Sequence, residues 1–305
     1  MNDTNETTPR PLAHAQSLIG VFDSGVGGLS VLQALRAHVD DERFIYVADS
    51  AYAPYGERDE EHVRARSHRI CETLVDMGAQ LIVVACNTAT AAAIESLRAR
   101  WPGIPFVGVE PGLKPAVGLS QGGRVGVMAT RATLRSDRFH RLLREFGAAA
   151  EAVLLQPCDG LAHAIERHAP DAQEIRELVE RHTAPLREAH VDTVVLGCTH
   201  YPLVVDLIAC ALGPDVTLLD TAQAVARQTR RLLGDTQVKE TRSPSSQPLR
   251  ALTSGDAMQL ERFARTWLGM DLKAQLLKER CSAERHMVPE TGIEPVRPLS
   301  RAGGF

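Results

Sequence analysis

Two cysteines in similar settings are the residues of this sequence best suited to chemistry. Cys86 ends an apolar run at residues 81–86, and Cys198 ends another at residues 193–198. A buried strand that ends in a thiol presents it at the carboxyl edge of a sheet, where ligands bind in open α/β folds. Two such thiols predict a pair of acid/base groups that remove a proton from one face of a carbon and deliver one to the other face.

A structural role is the alternative for any single cysteine, because free cysteines are often buried and pack like small hydrophobic side chains. Cys71 and Cys210, within helical apolar patterns, receive this interpretation. Cys86 and Cys198 differ, because a helix is expected to begin just after each and its N-terminus favours thiolate over thiol. The six cysteines form no CxxC pair, so we expect free thiols in a reducing compartment.

The elements expected to position these thiols are short apolar strands that alternate with longer helical patterns. This alternation predicts mostly parallel sheets covered by helices on both faces. The predicted strands are residues 18–23, 43–49, 80–86, 104–109, 124–130, 151–156, 192–198 and 216–220. Because the two cysteines fall in different parts of the chain, we expect two similar α/β domains with the active site in the cleft between them.

The same patterns predict the domain boundaries. Residues 18–108 plus 224–269 are expected to form a discontinuous first domain, and residues 109–223 a second one. Residues 1–17 are expected to be a disordered N-terminal extension. Residues 270–305 are expected to be a disordered tail that turnover does not need, since its last part has Pro and Gly without periodicity.

Composition excludes several classes of function. The chain has 305 residues and a formal net charge of −4, with its Lys and Arg scattered along predicted helices. This charge distribution argues against a nucleic-acid partner. No apolar stretch reaches the length of a membrane span, and the N-terminus lacks an apolar signal core. The protein is therefore expected to be cytoplasmic and to have no membrane partner.

The segment 19–35 combines a strand, a Gly-rich turn and a helix, which invites a nucleotide-binding interpretation. That interpretation fails, because the glycines do not complete G-x-G-x-x-G and no Gly-Lys-Ser/Thr follows. What remains is a helix N-terminus whose amides could hold a carboxylate. Asp23, which ends the strand, is either an N-cap or a group that orients a substrate ammonium or assists a thiol.

Other polar residues fall at the same predicted sheet edge. Tyr55 and the Gly56 amide lie in a Pro-Tyr-Gly turn after the second strand, and Thr130 ends the strand at 124–130. These three are candidate substrate contacts. His200 follows Cys198 by two residues and Glu166 lies in a helical stretch; by themselves both have the sequence character of surface or capping residues.

Neither a metal nor an organic cofactor is expected. Cys198 and His200 could supply two zinc ligands, but the sequence offers no second pair. A pyridoxal phosphate enzyme needs a lysine for its Schiff base, and none is found at a predicted strand edge. The four lysines are Lys114, Lys239, Lys273 and Lys278.

Several segments together resemble the glutamate racemases of the aspartate/glutamate racemase superfamily. The similarity runs over residues 18–269, and the Pro-Tyr-Gly and Cys-Thr-His-Tyr-Pro segments favour the glutamate branch. The matching segments are the Asp-Ser-Gly turn and residues 27–32, 53–56, 85–91, 107–116, 126–130, 197–203 and 253–256.

The resemblance implies a cofactor-independent enzyme that interconverts L- and D-glutamate and supplies D-glutamate for peptidoglycan. It implies that Cys198 takes the proton from L-glutamate and Cys86 from D-glutamate. Asp23 and His200 would assist these thiols, with Glu166 near Cys198. The implied substrate contacts are Asp23, Ser24, Tyr55, Gly56, Asn87, Thr88, Thr130, Thr199 and His200.

One segment departs from the family pattern: residues 157–160 read Pro-Cys-Asp-Gly, where the family more often has Cys-Pro and an apolar residue. Two other functions stay open at this point. One is racemisation of aspartate or another small acidic amino acid, and the other is amino-acid binding without turnover. The sequence does not fix the oligomeric state, and a homodimer is one of the states it allows.

Overall fold

The computed structural model of the protein describes residues 17–39, 42–234 and 249–278. The predicted N-terminal extension, apart from residue 17, and residues 279–305 of the predicted tail lie outside the described residues.

The described residues form two parallel β-sheets. The first has the strand order β10-β9-β2-β1-β3-β4 and the second β6-β5-β7-β8. All eight predicted strands are confirmed, with bounds that differ by at most two residues at each end. The strands are β1 (Leu18–Asp23), β2 (Arg43–Ala48), β3 (Leu81–Val84), β4 (Phe106–Gly108), β5 (Arg124–Ala129), β6 (Ala152–Pro157), β7 (Thr193–Gly197), β8 (Thr217–Leu219), β9 (Leu249–Thr253) and β10 (Ala274–Leu276).

Helices connect these strands and cover the sheets. They are α1 (Leu29–His38), α2 (Glu60–Asp76), α3 (Asn87–Arg100), α4 (Leu113–Leu119), α5 (Arg131–Arg135), α6 (Asp137–Phe146), α7 (Leu161–Arg167), α8 (Gln173–Glu188), α9 (Val205–Leu212), α10 (Ala222–Leu232) and α11 (Ala257–Leu268). Within the described ranges, no helix is both long and apolar enough to cross a membrane.

The central strands of the first sheet, β1 and β3, are almost entirely apolar because both faces of the sheet are covered there. In β1, Ile19 and Val21 belong to one buried cluster and Phe22 to another. In β3, Val83 and Val84 divide in the same way. Alternate side chains of a strand point to opposite faces, so an uninterrupted apolar run is what a sheet packed on both sides requires.

The late part of the chain returns to the first sheet. β9 pairs in parallel with β2, and α10 packs against α1. We call the part built on the first sheet the first half and the part built on the second sheet the second half. Domain boundaries at residues 108/109 and 223/224 stay a prediction, which this return of the chain supports.

The prediction that residues 270–305 form a disordered tail is wrong for residues 270–278. β10 lies in this stretch and pairs with β9 in the first sheet. Leu272 and Leu277 are buried, and the amide of Leu277 donates a hydrogen bond to the carbonyl oxygen of Thr253 at 2.7 Å. The strands β4 and β8 are equally short but lie within apolar runs, whereas β10 reads Ala-Gln-Leu and directly follows Lys273, so the sequence shows no apolar run there.

Two truncated chains test whether β10, and not the residues that follow it, stabilises the fold. A chain that ends at Lys278 is expected to unfold at the same urea concentration as the full chain. A chain that ends at Met270 should be less stable, because each buried leucine contributes roughly 1.5–3 kcal/mol. Urea unfolding followed by circular dichroism measures the difference. Identical midpoints for the two truncated chains would contradict a structural role for β10.

Candidate active site

One cavity lies between the two halves, at the carboxyl ends of their strands. It has a volume of about 550 Å³, which includes space open to solvent. Nearly all of the residues predicted from the sequence line it: Ser24, Tyr55, Gly56, Cys86, Asn87, Thr88, Thr130, Glu166, Cys198, Thr199 and His200. Asp23 is fully buried and lies behind Ser24, whose hydroxyl donates to it at 3.4 Å. The cavity therefore brings both predicted thiols to one place.

Cys86 stands at the N-terminus of a helix, as predicted. It is the N-cap of α3, and its Sγ accepts a hydrogen bond from the amide of Ala89 at 3.4 Å. The thiol also donates to the Ser24 hydroxyl at 3.6 Å, and Ser24 donates in turn to Asp23. Asp23 accepts a second hydrogen bond from the amide of Gly28 at 2.6 Å. Cys86, Ser24 and Asp23 thus form a hydrogen-bonded chain within the first half.

The surroundings of Cys86 favour its neutral form. Burial raises the pKa of the Cys86 thiol well above its ordinary value, and the nearby Asp23 carboxylate raises it further. Burial also raises the pKa of Asp23, although His200 and the Gly28 amide partly offset this effect. A buried thiol beside a carboxylate keeps its proton, because the thiolate would be both desolvated and repelled. Cys86 is therefore equipped to act as an acid.

Cys198 has different partners, all from the second half. Its Sγ lies 3.6 Å from Nδ1 of His200, and Nε2 of His200 lies 2.8 Å from Oε1 of Glu166. Burial lowers the pKa of His200, but its hydrogen bonds with Cys198 and Glu166 outweigh burial and raise that pKa well above its ordinary value. Burial raises the pKa of Glu166, but the hydrogen bond with His200, the charge of His200 and the hydrogen bond from the Val26 amide together outweigh burial and lower that pKa.

Together, these shifts define a buried imidazolium–carboxylate pair beside Cys198. A protonated imidazole donates from both ring nitrogens, one to Glu166 and the other to the sulfur of Cys198. Cys198 therefore lies beside a hydrogen-bond donor held by a carboxylate, whereas Cys86 lies beside the Ser24 hydroxyl.

The predicted helix N-terminus after Cys198 needs correction. The chain first forms a short 3-10 helix at Tyr201–Val204 and only then enters α9. The amide of Tyr201 donates to the backbone oxygen of Cys198 at 3.1 Å. The charged neighbour of this thiol is thus a histidine side chain, whereas a helix N-terminus was expected from the sequence.

The Gly-rich turn binds carboxylates, but they are carboxylates of the protein itself. The amide of Gly28 donates to Asp23, and the amide of Val26 donates to Oε1 of Glu166 at 3.3 Å. The second of these bonds joins the two halves. On the same side of the cavity, the hydroxyl of Ser30 donates to the backbone oxygen of Thr199 at 3.2 Å. The turn and the start of α1 therefore hydrogen-bond the second half to the first.

Threonine hydroxyls join the halves on another side of the cavity. Oγ1 of Thr88, in the first turn of α3, lies 3.0 Å from Oγ1 of Thr130 and 3.3 Å from Oγ1 of Thr133. Thr130 is also the N-cap of α5, where it accepts from the amide of Thr133 at 3.2 Å. The sequence did not suggest Thr133 as a contact between the halves, because its hydroxyl meets that of Thr88 only when the two halves pack together.

The hydroxyl of Tyr55 is hydrogen-bonded to another side chain of the protein. The hydroxyl donates to Oδ2 of the fully buried Asp49 at 2.5 Å. Asp49 also accepts from Nε and Nη2 of Arg66, at 2.9 and 2.8 Å, and the Arg66 guanidinium stacks over the ring of Tyr52 at 3.5 Å. The turn therefore presents the ring of Tyr55 and the backbone of Gly56 to the cavity. Sequence reasoning missed Asp49 and Arg66, although Asp49 is the last residue of the predicted strand 43–49.

Loss of the Asp49 carboxylate should be costly. The Asp49→Ala substitution leaves Arg66, whose side chain is only 11% exposed, without its buried partner. Breaking such a pair costs about 3–5 kcal/mol. The matched control is Glu60→Ala, which removes the exposed partner of Arg64 and should cost no more than about 1 kcal/mol. Urea unfolding compares the two, and equal losses would contradict the structural importance of the buried pair.

Cys158 is a third thiol that lines the cavity, and the sequence had assigned it no role. It is 3% exposed, and burial raises the pKa of its thiol above its ordinary value. The adjacent Asp159, in the segment that departs from the family pattern, forms an ion pair with Arg131, and both line the cavity. No cluster of three or more metal-binding side chains occurs in the part of the chain that the structure describes.

Residues 19–229 match the family model of the Asp/Glu/hydantoin racemases. The chain belongs to this family. It is 44% identical to a glutamate racemase of Ralstonia nicotianae over 282 residues, which are 92% of this chain and 97% of the relative. It is 48% identical to the glutamate racemase of Pseudomonas aeruginosa over 222 residues, which are 73% of this chain and 83% of the relative.

Solved structures agree with these relatives. A glutamate racemase isoform of Bacillus anthracis matches with a TM-score of 0.77 at 32% identity, over 87% of this chain and 98% of that one. The Escherichia coli glutamate racemase, solved with L-glutamate and an activator, matches with a TM-score of 0.75 at 31% identity, over 86% and 98%. Within the family, the chain groups with the glutamate racemases and is an isomerase. The predicted fold class is confirmed.

Proposed function

We propose that the protein interconverts L- and D-glutamate without a cofactor, by proton transfer between the α-carbon and the thiols of Cys86 and Cys198. The observation that carries this proposal is that the two thiols line one cavity from opposite halves, each with its own polar partners. The glutamate racemases among the relatives support glutamate as the substrate, as does the Escherichia coli structure with L-glutamate.

With L-glutamate, the first step is removal of the α-proton by the Cys198 thiolate. The S–H bond forms as the Cα–H bond breaks, and the electron pair spreads from the α-carbon into the carboxylate. The thiol of Cys86 then gives its proton to the opposite face of the planar intermediate, which yields D-glutamate. D-Glutamate follows the same steps in reverse, with Cys86 as the base.

The two thiols have partners suited to opposite tasks. His200, which Glu166 holds in place, lies beside Cys198 and can take part in moving the proton of that thiol. Burial and the Asp23 carboxylate favour the neutral form of Cys86. Asp23 reaches Cys86 through the Ser24 hydroxyl, so it can assist the thiol. After each turnover, proton exchange with water returns the two thiols to their starting protonation states.

Binding of the substrate relies on groups near the helix starts. The first amides of α3, on Asn87 and Thr88, have no partner within their own helix and can stabilise the charge that develops on the α-carboxylate. The hydroxyls of Thr88, Thr130 and Thr199 and the backbone of Gly56 offer further contacts. Tyr55 contributes through its ring and His200 through the thiol that it activates.

The proposed product, D-glutamate, is used to build the bacterial cell wall. D-Glutamate is a component of peptidoglycan, and the relatives named above come from bacteria. We propose that this protein supplies D-glutamate for peptidoglycan synthesis from the cytoplasm, with glutamate as its small-molecule partner.

The proposal is tested by incubating the purified protein with L-glutamate after dialysis against EDTA, with no pyridoxal phosphate or nucleotide added. Chiral chromatography should show the two enantiomers approaching equal amounts, since they have equal free energies. L-Aspartate, assayed in parallel, should react far more slowly. Activity that disappears on dialysis and returns only with a cofactor would contradict the mechanism, and faster turnover of aspartate would contradict the substrate.

A further inference from the structure

Two glycines of the first half lie against the charged pair of the second half. A Cβ atom added to Gly25 would lie 2.0 Å from Oε1 of Glu166, and one added to Gly27 would lie 2.5 Å from Nδ1 of His200. Neither glycine has a φ angle in the left-handed region, unlike Gly78 or Gly160. Backbone conformation therefore does not explain why these positions lack a side chain. The close approach of Glu166 and His200 explains it.

The turn supplies a hydrogen bond as well as space. Oε1 of Glu166 accepts from the Val26 amide, between the two glycines, and from Nε2 of His200. The side chains of His200 and Glu166 are only 5% and 15% exposed. Because water has little access to the pair, a carboxylate displaced from the turn would have no ready substitute for these contacts.

We propose that Gly25 and Gly27 are positioning residues for proton transfer at Cys198. Their missing side chains let the turn of the first half close on Glu166 and His200, which holds the imidazole against the Cys198 thiol. This inference rests on the function proposed above. It adds that proton transfer at Cys198 depends on contact between the two halves of the protein. Cys86 has its hydrogen-bonding partners, Ser24 and Asp23, within the first half, and His200 acts on Asp23 only through its charge. Proton transfer at Cys86 therefore depends far less on this contact.

A methyl group at position 25 would have to push Glu166 away. Cβ atoms do not approach other heavy atoms within 3.0 Å, so the carboxylate would move by about 1 Å or more. A displacement of this size can cost about 10²-fold in rate when it disturbs a catalytic group. Gly28 differs from both glycines, because a Cβ there would meet Asp23 of the same half, 2.6 Å away.

The experiment separates the two half-reactions with a glutamate that carries chloride on its β-carbon. The remaining thiolate takes the α-proton, the electrons of the C–H bond form the Cα=Cβ bond, and chloride leaves. Elimination by the Cys86→Ser variant depends on Cys198, and elimination by the Cys198→Ser variant depends on Cys86. Gly25→Ala is then added to each variant. We expect a loss of about 10²-fold in the first background and less than about threefold in the second.

Further variants exclude a general structural effect. Gly27→Ala should give the same one-sided loss as Gly25→Ala. Gly118→Ala is the matched control, because a Cβ there would have no heavy atom within 4 Å, and it should change neither elimination. In a Cys86→Ser background that also carries Glu166→Ala, adding Gly25→Ala should cause little further loss, because the carboxylate that it displaces is gone.

Each outcome decides the proposal. Retained elimination through Cys86 shows that the Gly25→Ala protein is folded, so a one-sided loss supports the positioning role. Equal losses in both backgrounds, or a loss that adds fully to that of Glu166→Ala, would overturn it. Failure of the proposed function is recognised separately, because the two serine variants would then eliminate chloride from neither enantiomer even with Gly25 intact.

Discussion

Replacing either Cys86 or Cys198 by alanine is expected to lower the rate of glutamate racemisation by about 10³- to 10⁴-fold, the upper range for loss of a positioned acid or base. Each direction of the reaction uses one thiol as the base and the other as the acid, so the loss of either stops both directions. Chiral chromatography of reactions started from L- and from D-glutamate measures the effect.

The matched control for these variants is Cys210→Ala. Cys210 is an exposed free cysteine on α9, outside the residues that line the cavity. This control should keep full activity, and circular dichroism should show that all three variants are folded. Substantial racemisation by either Cys86→Ala or Cys198→Ala would contradict the assignment of the two thiols.

Serine at the same positions should reveal which thiol serves which enantiomer. A serine hydroxyl is far less acidic than a thiol, so it rarely loses the proton that it must lose to act as a base. It can still deliver a proton. With a glutamate that carries chloride on the β-carbon, deprotonation alone is enough for elimination. Cys86→Ser, which keeps Cys198, should eliminate preferentially from the L enantiomer, and Cys198→Ser from the D enantiomer. The expected result is a reversal of enantiomer preference between the two variants.

The measurement is the rate of chloride release from each enantiomer, with the unsubstituted protein as the reference. The geometry supports two separate bases, since Cys198 lies beside His200 and Cys86 beside Ser24. The same preference in both variants would falsify the assignment of one thiol to each enantiomer.

The sequence predicted most of the strands because the central strand of each sheet and its neighbours are buried on both faces. Continuous apolar runs are readable without knowledge of the partner strands, as β1 and β3 illustrate. The thiols were found for a related reason: residues just beyond such runs lie at the sheet edge where ligands bind. β10 was missed because its residues are mostly exposed and include a glutamine, so it forms no apolar run.

The contacts between the halves could not be predicted in the same way. The sequence showed Gly25 and Gly27, but the atoms that require them to be glycine belong to Glu166 and His200, far along the chain. The buried pair of Asp49 and Arg66 likewise joins residues from a strand end and a helix. Such contacts depend on how the elements pack, and a local pattern of residue types does not contain that information.

The difference between the surroundings of the two thiols could not be predicted from the sequence either. Both cysteines follow apolar strands, and a helix N-terminus was expected for each. The structure gives that neighbour to Cys86 and a hydrogen-bonded histidine–carboxylate pair to Cys198. Similar sequence settings thus led to different chemical surroundings, because the partners of Cys198 come from α7 and from the segment after β7.

The central claim, that two thiols act from opposite faces of one carbon, is tested most directly by racemisation of L-glutamate in deuterated water. Samples taken early in the reaction are separated by chiral chromatography and analysed by mass spectrometry. If Cys86 delivers a deuteron from its solvent-exchanged thiol, the D-glutamate product carries deuterium at the α-carbon while the remaining L-glutamate keeps its proton. D-Glutamate that retains the original proton, as a single base returning it would produce, would contradict the two-thiol account.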